Sequence, residues 1–210
     1  MTRILIADDH ELLRRGLKTI LSDAFPDLKI LEAADARQTL EAVRKQPCDV
    51  VLLDINMPGR SGLEVLQDLR RLYPKMPVVV LSASGEADYA LRAFKLGASG
   101  YLCKQSASSE LLAAIRKALQ GGRYVTPFLA EALAATVAGE TPTTPHETLS
   151  NRELQVLRLV ASGKTLKEIA TELALSEKTI GTYRTRISQK LNLSTNVELA
   201  RYALQHKLVE

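Results

Sequence analysis

A chain of 210 residues, 46% apolar and 25% charged, has ordinary globular composition, which excludes wholesale disorder and leaves room for one large domain or two small ones. Tryptophan is absent, which counts against an aromatic-lined sugar or nucleobase cleft, and a net charge of +4 permits nucleic acid as a partner without requiring it. Two cysteines, Cys48 and Cys103, are too few for a disulfide scaffold, lack metal-ligand spacing and read as reduced thiols.

From the N-terminus, Met1–Thr2–Arg3–Ile4 runs directly into a strand pattern, with no signal-peptide core. No apolar run approaches the ~20 residues of a membrane helix. A cytoplasmic protein without membrane contact is expected. Five short apolar runs follow: Arg3–Ala7, Lys29–Ala33, Asp49–Asp54, Pro77–Ser82 and Gly100–Cys103. Runs as continuous as Val50–Val51–Leu52–Leu53 predict strands covered on both faces. Helix-period stretches lie between them, through Leu13–Leu21, Leu63–Leu69, Ala87–Phe94 and Leu111–Leu119. Alternation of this kind predicts a doubly wound α/β domain with a five-stranded parallel sheet. Between Gly139 and His146 the chain reads Gly-Glu-Thr-Pro-Thr-Thr-Pro-His, which is linker chemistry. Residues 1–122 are assigned to the α/β domain, 123–148 to a connecting helix and linker, and 149–210 to a small all-α domain. Three capping boxes open helices there, at Ser150-x-x-Glu153, Thr165-x-x-Glu168 and Thr195-x-x-Glu198. A fourth helix starts at Ser176 without one, and the short breaks between helices suit a helix-turn-helix.

Ligands of such sheets bind beyond the carboxyl ends of the strands. Those ends carry Asp8–Asp9, Asp54, Ser82 and Cys103–Lys104. Crowded carboxylates want a cation, and hard oxygen ligands suit Mg²⁺. Asp54, on the central strand, is the most exposed nucleophile candidate. It can accept a phosphoryl group as an acyl phosphate, with Lys104 neutralising the incoming oxygens and Ser82 donating a hydrogen bond.

In order and spacing, Asp8–Asp9, Asp54-Ile55-Asn56-Met57-Pro58-Gly59, Leu81-Ser82-Ala83 and Gly100-Tyr101-Leu102-Cys103-Lys104 resemble the receiver motifs of two-component response regulators. The resemblance implies a flavodoxin-like receiver with Asp54 as phosphoacceptor, Asp9 as direct metal ligand, Asp8 acting mostly through water, and Asn56 lending its backbone carbonyl. It also implies a switch in which Ser82 moves towards the phosphoryl group and Tyr101 rotates into the vacated space. Catalysis is then confined to Mg²⁺-dependent phosphorylation and dephosphorylation of the protein's own aspartate. A haloacid-dehalogenase-like phosphatase also uses a strand-end aspartate, but wants an acidic residue where Asn56 stands. A constitutive DNA binder whose receiver no longer switches is a third possibility, opposed by the intact Asp8, Asp9, Asp54, Ser82 and Lys104.

In the second domain, Leu149-Ser150-Asn151-Arg152-Glu153, Lys167-Glu168-Ile169-Ala170 and Ser176-x-Lys178-Thr179-Ile180 resemble the LuxR-type signature of the NarL/FixJ-like family. Leu166–Leu173 would be the scaffold helix and Glu177–Leu191 the recognition helix. Ile180, Ile187 and Leu191 form its apolar stripe, with Tyr183 at the border. Gly181, Thr182 and Thr185 would face base edges, with Lys178, Thr179, Arg186 and Lys190 nearer phosphates. Gly181 stands where many relatives carry lysine, which shifts specificity towards methyl contacts, water and DNA shape. The last helix, Asn196–His206, would carry the dimer contact. Expected partners are a sensor histidine kinase, promoter DNA, a second copy on activation and RNA polymerase. His10, His146 and His206 sit in unrelated sequence contexts, and none is assigned a metal or catalytic role.

Overall fold

The computed structural model describes residues 1–83, 87–137, 144–206 and 208–209, so residues 139–143 of the expected linker lie outside the described residues. The chain divides into two compact units, Met1–Ala138 and Gly139–Glu210. In the first, strands β1 (Thr2–Ala7), β2 (Leu28–Ala33), β3 (Val50–Asp54), β4 (Val78–Ser82) and β5 (Gly100–Cys103) pair in the order β2-β1-β3-β4-β5, all parallel. β3 and β4 are buried at every position, as their unbroken apolar runs require. Register sets Asp54 level with Leu81 and Ser82 level with Cys103, so the functional strand ends finish at one edge. The strand order reverses between β1 and β3, and that is where a crevice opens in a sheet of this kind.

Helices α1 (Glu11–Ala24), α2 (Ala36–Lys45), α3 (Gly62–Leu72), α4 (Ala87–Lys95) and α5 (Ser108–Leu119) alternate with the strands, and α6 (Pro127–Val137) follows as the connecting helix. Leu17 and Leu21 of α1 and Leu111 and Ile115 of α5 cover Ile4, Ile6, Leu52 and Leu81 on one face. α2 escapes the apolar-period pattern because its buried stripe is Ala36, Thr39 and Val43. Its start is set by Asp35, whose carboxylate accepts the Gln38 N–H at 2.7 Å.

The second unit holds a 3₁₀ turn (Pro145–Thr148) and helices α7 (Asn151–Ala161), α8 (Leu166–Glu172), α9 (Glu177–Leu191) and α10 (Asn196–Gln205). All three expected capping boxes form, and Ser176 caps α9 by accepting the Thr179 N–H at 3.1 Å. Leu154, Leu157, Ile169, Ile180, Ile187 and Leu199 make the core, with α7 packed on both α9 and α10. No described helix is long and apolar enough to cross a membrane.

Candidate functional site

The acidic pocket forms where β1, β3 and β5 end. Lys104, the residue after β5, is fixed by its backbone N–H to Ser82 O at 2.6 Å. Its Nζ reaches Asp54 Oδ2 at 2.8 Å and Asp8 Oδ2 at 2.7 Å, bridging two carboxylates that are both fully buried. Asp54 Oδ1 accepts the Asn56 N–H at 3.0 Å, and Asp8 Oδ1 accepts the His10 N–H at 2.8 Å. Burial, with the Asp8 charge adding to it, holds the Asp54 carboxyl above the usual range against the pull of Lys104 and Asn56. Burial alone would lower Lys104, but the Asp54 and Asp8 carboxylates outweigh it and leave the ammonium held above its ordinary range.

The expectation that Asp54 is the most exposed nucleophile candidate is corrected: its relative exposure is 0%. Ile55 and Met57, just after β3, are themselves buried, and Gly59 turns the following loop at φ 77°. Gly62 packs against the Asp54 backbone and carries no signal of its own in a single sequence. A Cβ there would lie 1.9 Å from the Asp54 carbonyl oxygen, so only glycine lets α3 start against the strand end.

His10 lies beside the pocket. Its Nδ1 lies 2.9 Å from Asp9 Oδ1 and 3.1 Å from Asp8 Oδ1, and donor atoms of Asp8, Asp9, His10 and Asp54 all fall within 4.8 Å of one another. The Asp8–Asp9–His10 adjacency was the available signal. His146 and His206 also share a context, packed as rings around Tyr202 on α10, with His146 Nδ1 3.0 Å from the Tyr202 hydroxyl. Fifty-six residues separate His146 from Tyr202, which hides the contact from a local reading. Ser82 and Tyr101 are both buried, and the tyrosine hydroxyl is hydrogen-bonded to the Ser82 side chain. Burial pushes that phenol up to about 12.

On α9 the faces separate as the sequence predicts. Ile180, Ile187 and Leu191 are buried, while Lys178, Thr182, Thr185 and Arg186 are exposed. The cations divide into two kinds. Lys190 Nζ is hydrogen-bonded to the buried Glu153 carboxylate at 2.6 Å and the Thr148 carbonyl at 3.2 Å. Arg184 donates to Asn196 Oδ1 at 2.7 Å. Lys178 and Arg186 have no side-chain partner among the described residues. Thr179 is spent on the helix start, its hydroxyl 2.8 Å from Ser176 Oγ.

Two family models match, the response regulator receiver domain over residues 4–116 and the luxR family of bacterial regulatory proteins over residues 147–203. The response regulator GacA of Pseudomonas aeruginosa is 36% identical, the alignment covering 100% of this chain and 99% of its own. The response regulator UvrY of Escherichia coli is 35% identical over 99% of this chain and 96% of its own. Among solved structures, RcsB from Salmonella enterica serovar Typhimurium, bound to promoter rprA in the presence of a phosphomimetic, superposes with a TM-score of 0.65 at 26% identity, covering 96% of this chain and 98% of that one.

Proposed function

The chain belongs to the bacterial two-component response regulators, with a receiver domain followed by a LuxR-type DNA-binding domain, and on that footing we propose that phosphorylation of Asp54 switches its binding to promoter DNA. The observation that carries this reading is the buried Asp54 carboxylate, held by Lys104 among further carboxylates at the strand edge. A phosphorus–oxygen bond forms to Asp54 as the bond from phosphorus to the donor, a kinase phosphohistidine or a small acyl phosphate, breaks. Lys104 stays within reach of the oxygens that gain charge. Ser82 has one proton and two lone pairs, so it can donate to a phosphoryl oxygen and accept from a neighbouring hydroxyl at the same time.

The donor set fits Mg²⁺. Asp8, Asp9 and Asp54 supply hard oxygens within 4.8 Å of one another, and by the family resemblance the Asn56 carbonyl would be a fourth donor. When bound, the ion would neutralise charge on the transferred group. The exposed Val197 and Leu204 of α10, seven positions apart, support pairing with a second copy, while Leu199 and Ala203 of the same helix are buried in the domain. The cytoplasm is the compartment in which kinase, DNA and RNA polymerase would meet it.

Incubation with acetyl phosphate and Mg²⁺, followed by intact mass, tests the reading. Wild type should gain one phosphoryl group and shift towards dimer on size exclusion; Asp54→Ala should do neither. Equal uptake by Asp54→Ala would remove Asp54 from the role.

A further inference from the structure

The exposed face of α9 is apolar in a way that its residue names conceal. Thr182 and Thr185 look like hydrogen-bond donors to base edges, yet each hydroxyl donates to the carbonyl four residues back, Thr182 to Lys178 O and Thr185 to Gly181 O, both at 3.0 Å. A hydroxyl has one proton, so neither threonine has a donor left for the O6 or N7 acceptors of guanine. The same bond fixes χ1, leaving each side chain's methyl and spare oxygen lone pairs for a ligand. Gly181 lies one turn before Thr185 on this face, and a Cβ built there meets nothing within 4 Å. Lys178 and Arg186, the cations without a partner among the described residues, flank this patch at its two ends.

From this geometry we infer that the Gly181–Thr182–Thr185 patch reads the 5-methyl groups of thymine in the major groove, with Lys178 and Arg186 holding the flanking phosphates. The inference rests on the LuxR-type unit binding DNA and goes beyond it, naming the base chemistry recognised. Thymine is the base whose major-groove edge carries a methyl group, and threonine methyls are suited to it. The spare lone pairs of Thr182 and Thr185 add tolerance for an amino donor of adenine or cytosine beside it. Guanine has nothing to gain from these three residues.

The test uses the full chain, phosphorylated with acetyl phosphate and Mg²⁺, and a random duplex library. Once a bound sequence is enriched, each thymine is replaced in turn by deoxyuridine, which deletes only the methyl group. At one or two thymines per half-site, affinity should fall about fourfold per methyl. Thr182→Ser and Thr185→Ser retain the hydroxyl and delete the methyl, so each should weaken the thymine duplex similarly and cost little more on the matching uridine duplex. Valine at either position retains the methyl, and should bind the thymine duplex more tightly than serine. Uridine duplexes that bind as well as thymine duplexes, or valine variants weaker than serine variants, would overturn the inference. Failure to enrich any duplex would take away the DNA-binding reading itself, an outcome distinct from insensitivity to methyl groups.

Discussion

Each unit of this chain buries a carboxylate against a lysine, and the two pairs come out with opposite electrostatics. Asp54 shares Lys104 with Asp8 and has one backbone N–H, so burial wins and its carboxyl is held above the usual range. Glu153 is 3% exposed, and burial raises it too, but Lys190 and the Ser150 backbone and side chain outweigh that and leave it below the usual range. Its Oε2 alone receives Lys190 at 2.6 Å and the Ser150 N–H at 2.7 Å. The difference separates a carboxylate satisfied by its own domain from one left short of counter-charge. A bound cation has something to offer only the second. The first secures α7 to α9 and fixes the helix-turn-helix.

Removing the lysine should therefore hurt the second unit most. Lys190→Met leaves the Glu153 charge buried without its lysine partner, and should destabilise that unit by about 1.5 kcal/mol, because the Ser150 bonds remain and solvent reaches the pair. Urea unfolding of the full chain, with hydrogen exchange reporting on α7 and α9, measures it. Adding Glu153→Gln should recover much of the loss, because the unpaired charge goes with it. A loss below about 0.5 kcal/mol would place Glu153–Lys190 among ordinary surface pairs and break the comparison.

The pocket carboxylate should respond with the opposite sign. A carboxyl whose folded pKa is raised binds its proton more tightly in the native state, so its ionisation costs stability as pH rises from the unfolded value of 3.8 through the folded one. Glu153 behaves conversely: its stabilisation is present above the unfolded value of 4.5 and is lost as pH falls through the lowered folded one. Asp54→Asn should thus stabilise the first unit at pH 7 by about 1 kcal/mol, while abolishing phosphoryl uptake. Denaturation midpoints of wild type and variant at pH 4 and pH 7 check it. A stability gap that does not widen with pH would mean that Lys104 already satisfies Asp54.

These contrasts also mark what the sequence makes legible. The five strands appear as apolar runs, placed within one residue of where they form, because strands covered on both faces tolerate little else. Asp8, Asp54, Ser82 and Lys104 are legible as the polar residues that end those runs, and the amphipathic pattern of α9 separates its faces correctly. The hidden part is what long-range packing decides. Nothing local says that Asp54 is fully buried with Gly62 packed against its backbone, or that Lys190 folds back across thirty-seven residues onto Glu153. Nor does residue type reveal that the outward threonines have already spent their protons on carbonyls of their own helix.

The two glycines offer the finest version of the comparison. At Gly62 a Cβ would strike the Asp54 carbonyl, so the fold itself demands glycine. Gly181 meets no such demand: it lies inside α9, has no positive φ, and its Cβ position is open. Glycine in an exposed helix interior costs about 0.5–1 kcal/mol against alanine, a cost no contact within this domain offsets. Gly181→Ala should therefore stabilise the full chain by about that amount in urea. If the open space serves the thymine-reading face, the same variant should bind the enriched duplex more weakly, because its added methyl occupies room the base edge uses. Higher stability with weaker binding would mean that the glycine is retained for the ligand. Higher stability with unchanged binding would leave base reading to Thr182 and Thr185 alone, with Gly181 a helix residue that could be replaced without loss.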